Sequence, residues 1–165
     1  MLILRFFEIY VLLIIFLLVC PIFFIILIIL YFYNKGKIFY VSKRVGYKSK
    51  IFNMYKFRTM KIESPEIATH LLVSQDQYIT KFGHFLRRFS LDEIPQLLNI
   101  LKGEMTFIGP RPALFNQYDL INLRKKKFID LIKPGITGWA QINGRDNLTI
   151  EEKVKMDAYY YNNKS

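Results

Sequence analysis

Ile9 to Tyr33 is a run of 25 residues without a charge, and no other feature limits the folding of this chain as much. As one helix the run would be about 37 Å long at 1.5 Å per residue. A bilayer core is about 30 Å thick, so the run is long enough to enter a membrane and span it with some tilt. A cleaved signal peptide fits less well, because Arg5 is the only early cation and no small-x-small cleavage site follows. Pro21 stands near the middle of the run. Proline removes one helix hydrogen bond and its ring meets the carbonyl four residues back, so a kink is expected there. Two geometries stay open on composition: a bent span, or a sharp bend that returns the chain to the same face. Arg5 and Glu8, three apart, can pair on one helix face at the entrance.

The remaining chain is enough for one modest domain. It holds 23 of the 24 Lys and Arg residues and 12 of the 13 Asp and Glu residues, and so the whole +11 excess. Lys35, Lys37, Lys43, Arg44, Lys48 and Lys50 crowd just after the apolar run. The positive-inside tendency puts that flank in the cytoplasm. The same residues attract anionic membrane lipids, each cation contributing about 1 kcal/mol close to the surface. The single cysteine, Cys20, lies inside the apolar run, which excludes an intrachain disulfide and argues against a thiolate metal site. Positive charge by itself also fits nucleic acid. However, the chain has no zinc finger, aromatic-rich RNA-binding signature or heptad zipper, so no nucleic-acid partner is expected. Lys125-Lys126-Lys127 reads as a solvated helix face.

Local patterns predict an α+β fold, a small and mostly helical domain with a short β-hairpin or sheet. Ile38 to Tyr47 and Ile51 to Met60 are β-rich and predict a hairpin across Lys48-Ser49-Lys50. Lys61 to Gln77 is polar and reads as a mobile connection. A short helix is expected over Lys81 to Phe89, and another from about Asp92 to Leu101, closed by Gly103. Met105 to Ile108 predicts a strand leading into Gly109-Pro110-Arg111-Pro112. Ala113 to Ile132 has helical periodicity, Pro134-Gly135 and Asn143-Gly144 are turns, and Thr149-x-x-Glu152 is a capping-box pattern opening a last helix to about Tyr161.

The chemistry concentrates between Arg87-Arg88 and Arg111, where Asp92 and Glu93 are adjacent carboxylates. Ser90-x-x-Glu93 can be read as a plain capping box. Pro95 argues against that, since with Ser90 as cap its ring would fall at the fifth helical position and meet the Leu91 carbonyl. With Asp92 near the cap, Pro95 falls in the first turn, and both carboxylates lie where a helix dipole stabilises negative charge. A carboxylate can attack phosphorus to give an acyl phosphate. It can also bind Mg²⁺, which takes one or two carboxylates together with substrate phosphates. Arg87 and Arg111 are placed to neutralise phosphate oxygens, and Arg111 has little backbone freedom between two prolines.

These residues sit among Lys43-Arg44-Val45-Gly46, Tyr55-Lys56-Phe57-Arg58-Thr59-Met60, Lys81-Phe82-Gly83 and Ser90-Leu91-Asp92-Glu93-Ile94-Pro95-Gln96-Leu97. Leu101-Lys102-Gly103, Phe107 to Pro112, Pro134 to Gln141 and Asn143-Gly144-Arg145 follow in order. With them the chain resembles the bacterial sugar transferases, the monotopic phosphoglycosyl transferases in their minimal form, over nearly its whole length. The resemblance implies transfer of a sugar-1-phosphate from a UDP-sugar to polyprenyl (undecaprenyl) phosphate with release of UMP, at the bacterial inner membrane. It implies Asp92 as nucleophile and Glu93 as its partner in Mg²⁺ binding or in lipid-phosphate attack. Arg87, Arg111, Arg145 and Lys56 are implied as phosphate or substrate contacts. Residues 1–34 would form a re-entrant helix broken at Pro21 with both ends cytoplasmic, and residues 35–165 the cytoplasmic catalytic domain.

The sequence departs from the family pattern at Glu8, Cys20, Ser42 and Tyr78, where Asp, Ser or Lys, Gln and Arg are usual. It stops at Ser165, inside a segment that in relatives runs on into further helices. The alternative expectation is an inactive, shortened member acting only as a basic membrane-associated module.

Overall fold

The structure, a computed structural model, describes residues 2–62, 64 and 77–164, without the side chains of residues 2–5, 7 and 146. The expected Arg5–Glu8 pair and most of the polar stretch 61–77 therefore lie outside the described residues. The chain begins with α1 (Leu2–Tyr33), the strands β1 (Phe39–Val45) and β2 (Ile51–Phe57), and the helices α2 (Lys81–Arg88) and α3 (Leu97–Leu101). It continues through β3 (Thr106–Ile108), β4 (Ala113–Leu114), α4 (Tyr118–Lys126), β5 (Gly135–Thr137), α5 (Trp139–Ile142) and α6 (Ile150–Asn163). This is the expected α+β class. Two compact units are present, one of Met1–Val41 with Tyr55–Leu98, the other of Ser42–Met54 with Asn99–Ser165.

In the first unit α1 runs as one helix, and Pro21 is counted among its helical residues rather than between two helices. Proline's fixed φ suits a helix, so one missing hydrogen bond does not end it when the neighbouring turns are continuous. Residues 8–33 are apolar and long enough to cross a membrane. Among the described residues one stripe of the helix is covered by protein. Phe23, Ile26, Leu27 and Leu30 follow i, i+3, i+4, i+7 spacing and pack with Phe57, Leu86, Ile38 and Phe82. Leu30 is fully buried, whereas Phe24, Ile25, Ile28 and Phe32 on the other faces are exposed. The helix ends where Lys35 turns left-handed (φ 49°) and the Gly36 N–H returns to the Tyr31 carbonyl (2.9 Å), the long-range bond of a Schellman end. Asn34 then ties the helix end to β2's exit by donating from Nδ2 to the Arg58 carbonyl (3.1 Å).

β1 and β2 neighbour each other across a 3-10 turn, Tyr47–Ser49, close to the expected hairpin. Beyond β2 the chain leaves through the polar stretch and comes back beside its own exit. Met60 and Ile79 form an antiparallel bridge, and the Lys61 N–H donates to the Tyr78 carbonyl (2.9 Å).

In the second unit β4 pairs antiparallel with β1, with Val45 opposite Ala113. This corrects the expected helix over Ala113 to Ile132. Ala113-Leu114 is a strand, α4 covers only Tyr118–Lys126, and Phe128 (φ 59°) breaks the chain before a 3-10 turn at Ile129–Leu131. Sheet pairing has overridden local helical periodicity. Helices α4 and α6 pack together around Ala113, Leu120, Ile129, Ile132 and Val154. α6 opens with the predicted capping box, Thr149 with Glu152. Lys125, Lys126 and Lys127 are exposed, as expected of a solvated face.

β3 and β5 run parallel, with Thr106 opposite Gly135 and Ile108 opposite Thr137. The two strands continue into an unusually close backbone contact: a Cβ on Gly135 would lie 2.1 Å from the Gly109 nitrogen. A Gly135→Ala substitution meets rigid backbone rather than a movable side chain. It is expected to destabilise by at least about 2 kcal/mol, in the range of strained or overpacked core variants. Thermal unfolding of the detergent-solubilised protein measures this, and an unchanged midpoint would contradict the packing described.

Candidate active site

The first unit brings together Lys56, Arg87, Asp92 and Glu93, four of the residues singled out by sequence. Lys56 comes from β2. Arg87 lies in the last turn of α2, whose first turn is capped by the Thr80 hydroxyl accepting from the Gly83 N–H (2.9 Å). Arg88, next along, is exposed with its guanidinium over the Phe89 ring (5.7 Å to the centroid). Only Arg87 of the basic pair turns inward.

The segment carrying the carboxylates starts from Ser90, as the capping-box reading had it and not near Asp92, but without the capping bond. Ser90 adopts the left-handed conformation (φ 55°) and makes no side-chain cap bond. Its carbonyl, not its hydroxyl, accepts from the Glu93 N–H (3.2 Å). A 3-10 helix follows over Leu91–Gln96, with Asp92 and Glu93 in its first turn, and α3 continues from it. Such a helix tolerates Pro95 because its bonds run to the third residue back. Residues three apart eclipse in it. Leu91 and Ile94 thus share one face and pack against the Leu30, Phe57 and Leu86 cluster. Asp92 with Pro95, and Glu93 with Gln96, occupy the other two faces. The apolar face fixes the rotation of the segment and so the direction of both carboxylates.

Asp92 is buried, and Glu93 partly so. The Lys56 ammonium lies 2.7 Å from Glu93 Oε1 and 3.5 Å from Asp92 Oδ2. On the Asp92 side stands Arg87, whose guanidinium is held below its ordinary value by burial, with the Asp92 charge opposing. The Arg87 Nε–H donates to Thr59 Oγ1 (2.9 Å). Among the described residues neither terminal nitrogen of Arg87 has a hydrogen-bond partner, and Arg87 makes no salt bridge to Asp92. Two negative and two positive groups therefore lie side by side, the arginine with its fork still available to oxygens.

Among the described residues no group of three or more His, Cys, Asp or Glu side chains comes together. The two carboxylates alone suit Mg²⁺, which keeps several waters and takes its remaining oxygens from substrate phosphates. The Lys56 ammonium against Glu93 marks a spot where these oxygens already accept a cation.

Arg111 and Arg145 belong to the second unit. Arg145 is exposed and left-handed (φ 52°). Arg111 sits on a backbone held at each neighbouring carbonyl. Ile108 O accepts from the Tyr160 hydroxyl (3.0 Å) and Pro110 O from the Gly135 N–H (3.0 Å). Arg111 O accepts from Arg124 Nη1 (2.8 Å) and Pro112 O from Arg44 Nη1 (3.1 Å). Arg124 is itself fixed by Asp157, whose Oδ2 accepts from Nη2 (2.6 Å) and Nε (3.0 Å). Sequence reasoning missed Thr59, Arg124 and Asp157. Thr59 stands inside a motif that was noted, but Arg124 and Asp157 are 33 residues apart and carry no local signal.

The sequence profile of the bacterial sugar transferases matches residues 1–165. The galactosyl transferase CpsE of Streptococcus agalactiae serotype III is 40% identical over 139 residues, which cover 77% of this chain and 31% of that protein. The uncharacterized sugar transferase EpsL of Bacillus subtilis is 41% identical over 126 residues, covering 76% and 61% respectively. The UDP-glucose:undecaprenyl-phosphate glucose-1-phosphate transferase of Escherichia coli K12 is 38% identical over 156 residues, covering 87% and 32%. The chain thus spans about a third of two of these relatives and under two thirds of the other.

Burial pushes the Asp157 carboxyl above its ordinary value of 3.8, with Arg124 opposing. An acid raised on folding binds its proton more readily in the folded state. Its contribution is therefore greatest below the ordinary value and is lost as pH rises through the raised one. The stability advantage of wild type over Asp157→Asn is expected to shrink with rising pH across that window, followed by unfolding at each pH. At neutral pH, Asp157→Ala leaves the part-buried Arg124 without its carboxylate and is expected to cost about 3 kcal/mol.

Proposed function

Because the chain belongs to the bacterial sugar transferase family, we propose that it moves a sugar-1-phosphate from a UDP-sugar to polyprenyl phosphate, releasing UMP. The observation that carries this reading is the buried Asp92 carboxylate beside the open fork of Arg87. The name of the Escherichia coli relative, a transferase of glucose-1-phosphate from UDP-glucose to undecaprenyl phosphate, supports the same reaction class.

In the first half-reaction an Asp92 oxygen attacks the phosphorus that bears the sugar. The bond from that phosphorus to the bridging oxygen breaks, and UMP leaves with the electron pair. The sugar phosphate is then an acyl phosphate on Asp92. In the second, an oxygen of the lipid phosphate attacks the same phosphorus, the aspartyl bond breaks, and the Asp92 carboxylate is restored with polyprenyl diphosphate sugar as product. Arg87 takes the phosphoryl oxygens on its terminal nitrogens and stabilises the charge that gathers there. Lys56 holds Glu93 and lies near Asp92, so it keeps two neighbouring carboxylates from repelling each other and an incoming phosphate. Asp92 and Glu93 would hold Mg²⁺, which supplies Lewis-acid neutralisation of the diphosphate. Arg111 and Arg145 are assigned to substrate phosphates through their motifs.

The acceptor is a lipid, and α1 brings its requirement into the fold. In the proposed arrangement α1 stays helical through Pro21 but bends there on entering the bilayer, so that both ends lie on the cytoplasmic face of the bacterial inner membrane and the basic flank after α1 rests on anionic lipids. The site then stays at the bilayer surface, where a lipid phosphate is found.

Purified protein with radiolabelled UDP-sugars, polyprenyl phosphate and Mg²⁺ is expected to release UMP, and Asp92→Asn to lower this to about a thousandth or less while still binding membranes. No UMP from any UDP-sugar, or full activity in the variant, would overturn the reading. Chelation should stop release and added Mg²⁺ restore it. For topology, Leu4→Cys and Lys37→Cys, each in a Cys20→Ser background, should both react with an impermeant thiol reagent from the cytoplasmic side. Labelling from opposite sides would exclude re-entry.

A further inference from the structure

Asp92 and Arg87 present a conflict that the reaction has to resolve. A buried carboxylate and a neighbouring guanidinium ordinarily close into a two-bond ion pair. Such a pair would occupy both the attacking oxygens and the donors meant for phosphate. Here they stay apart, with no salt bridge between them among the described residues. The one hydrogen bond Arg87 makes there goes instead to Thr59, from Nε to Oγ1 at 2.9 Å.

Thr59 is unusually well fixed for this task. The residue is buried, only 5% exposed, so water cannot readily replace the hydroxyl as acceptor. Its carbonyl accepts from both the Thr80 N–H (3.0 Å) and the Thr80 hydroxyl (3.2 Å). Gly83 permits the approach, since a Cβ there would lie 2.1 Å from the Thr59 carbonyl oxygen. Long helical side chains point back toward the helix N-terminus. Arg87, in the last turn of α2, therefore reaches back toward the same residue that the first turn of α2 is built against. One residue, through backbone and hydroxyl, holds both the start of α2 and the inward-turned arginine of its last turn. The β-branch leaves its hydroxyl few rotamers.

We propose that Thr59 is a positioning residue that tethers Arg87 by Nε, keeping the guanidinium beside Asp92 but off its carboxylate, with both terminal nitrogens presented to the phosphoryl oxygens. The inference rests on the proposed role of Asp92 as nucleophile. It adds to that role a reason why the nucleophile is not quenched by its own cation.

Thr59→Val keeps the shape and removes the acceptor, while Thr59→Ser keeps the acceptor. The valine variant is expected to lower kcat of UMP release about 10- to 100-fold, with KM for the UDP-sugar changed less than about threefold, because orientation matters most in the transition state. The serine variant should stay within about threefold of wild type in kcat. In an Arg87→Lys background, which has no Nε, adding Thr59→Val should cost nothing further. Equal losses in the valine and serine variants, or an undiminished effect of Thr59→Val in the Arg87→Lys background, would mean a packing role only and overturn the proposal. A second readout needs no turnover. The ¹⁵Nε–H resonance of Arg87, identified by its loss in Arg87→Lys, should be protected from exchange in wild type and in Thr59→Ser, and unprotected in Thr59→Val. If wild type releases no UMP, the functional reading fails, and this resonance still decides whether Thr59 holds Arg87. Protection unchanged in the valine variant would overturn the tether.

Discussion

Leu30, Phe57 and Leu86 meet in one fully shielded contact, and most of what the site-bearing unit does follows from it. Leu30 comes from the apolar helix, Phe57 from the end of β2 and Leu86 from α2. Phe57 also has the rings of Phe23 and Phe39 against it, with centroids 5.2 Å and 5.7 Å away. Leu91 and Ile94 complete the cluster and thereby set how the 3-10 turn carrying Asp92 and Glu93 is rotated. Removing Leu30 would therefore do more than leave a cavity, because the lysine strand, the arginine helix and the carboxylate turn are all referenced to that side chain. The helix that a hydropathy reading treats as an anchor is, along one stripe, the core of the unit.

The electrostatics of the site depend on separation as much as on attraction. Lys56 is taken up chiefly by Glu93, and Arg87 by the hydroxyl of Thr59. Asp92 is left between two cations without being fully claimed by either. Burial strengthens each of these interactions, which is why a small change of partner has large consequences there. The second unit uses the opposite device around Arg111. There the backbone is fixed carbonyl by carbonyl, and the charged groups Arg44, Arg124 and Asp157 serve as fasteners.

Much of the fold was legible in the sequence because the informative signals are local. The uncharged run, the β-rich pair around Lys48, the Thr149–Glu152 cap and the Gly103 stop all act within a few residues, and each was found near its expected place. The Ala113–Ile132 stretch was misread because its fate depends on β1, about 70 residues earlier, which captures Ala113 and Leu114 as a strand. The start of the Asp92 segment was also misplaced. Pro95 correctly argued against an α-helix from Ser90, but a 3-10 turn satisfies the same proline without moving the start. At the site, residue types pointed to the carboxylates and arginines. Thr59 and the Arg124–Asp157 pair escaped because their value lies in contacts across 28 and 33 residues.

The bridge between Met60 and Ile79 has a consequence for how such a protein can vary. It clasps the exit of β2 to the approach to α2, just beside Thr59 and the first turn of that helix. The clasp is made by backbone groups, the Lys61 N–H on the Tyr78 carbonyl among them, so the side chains at these two positions can vary in a lineage without loosening the site.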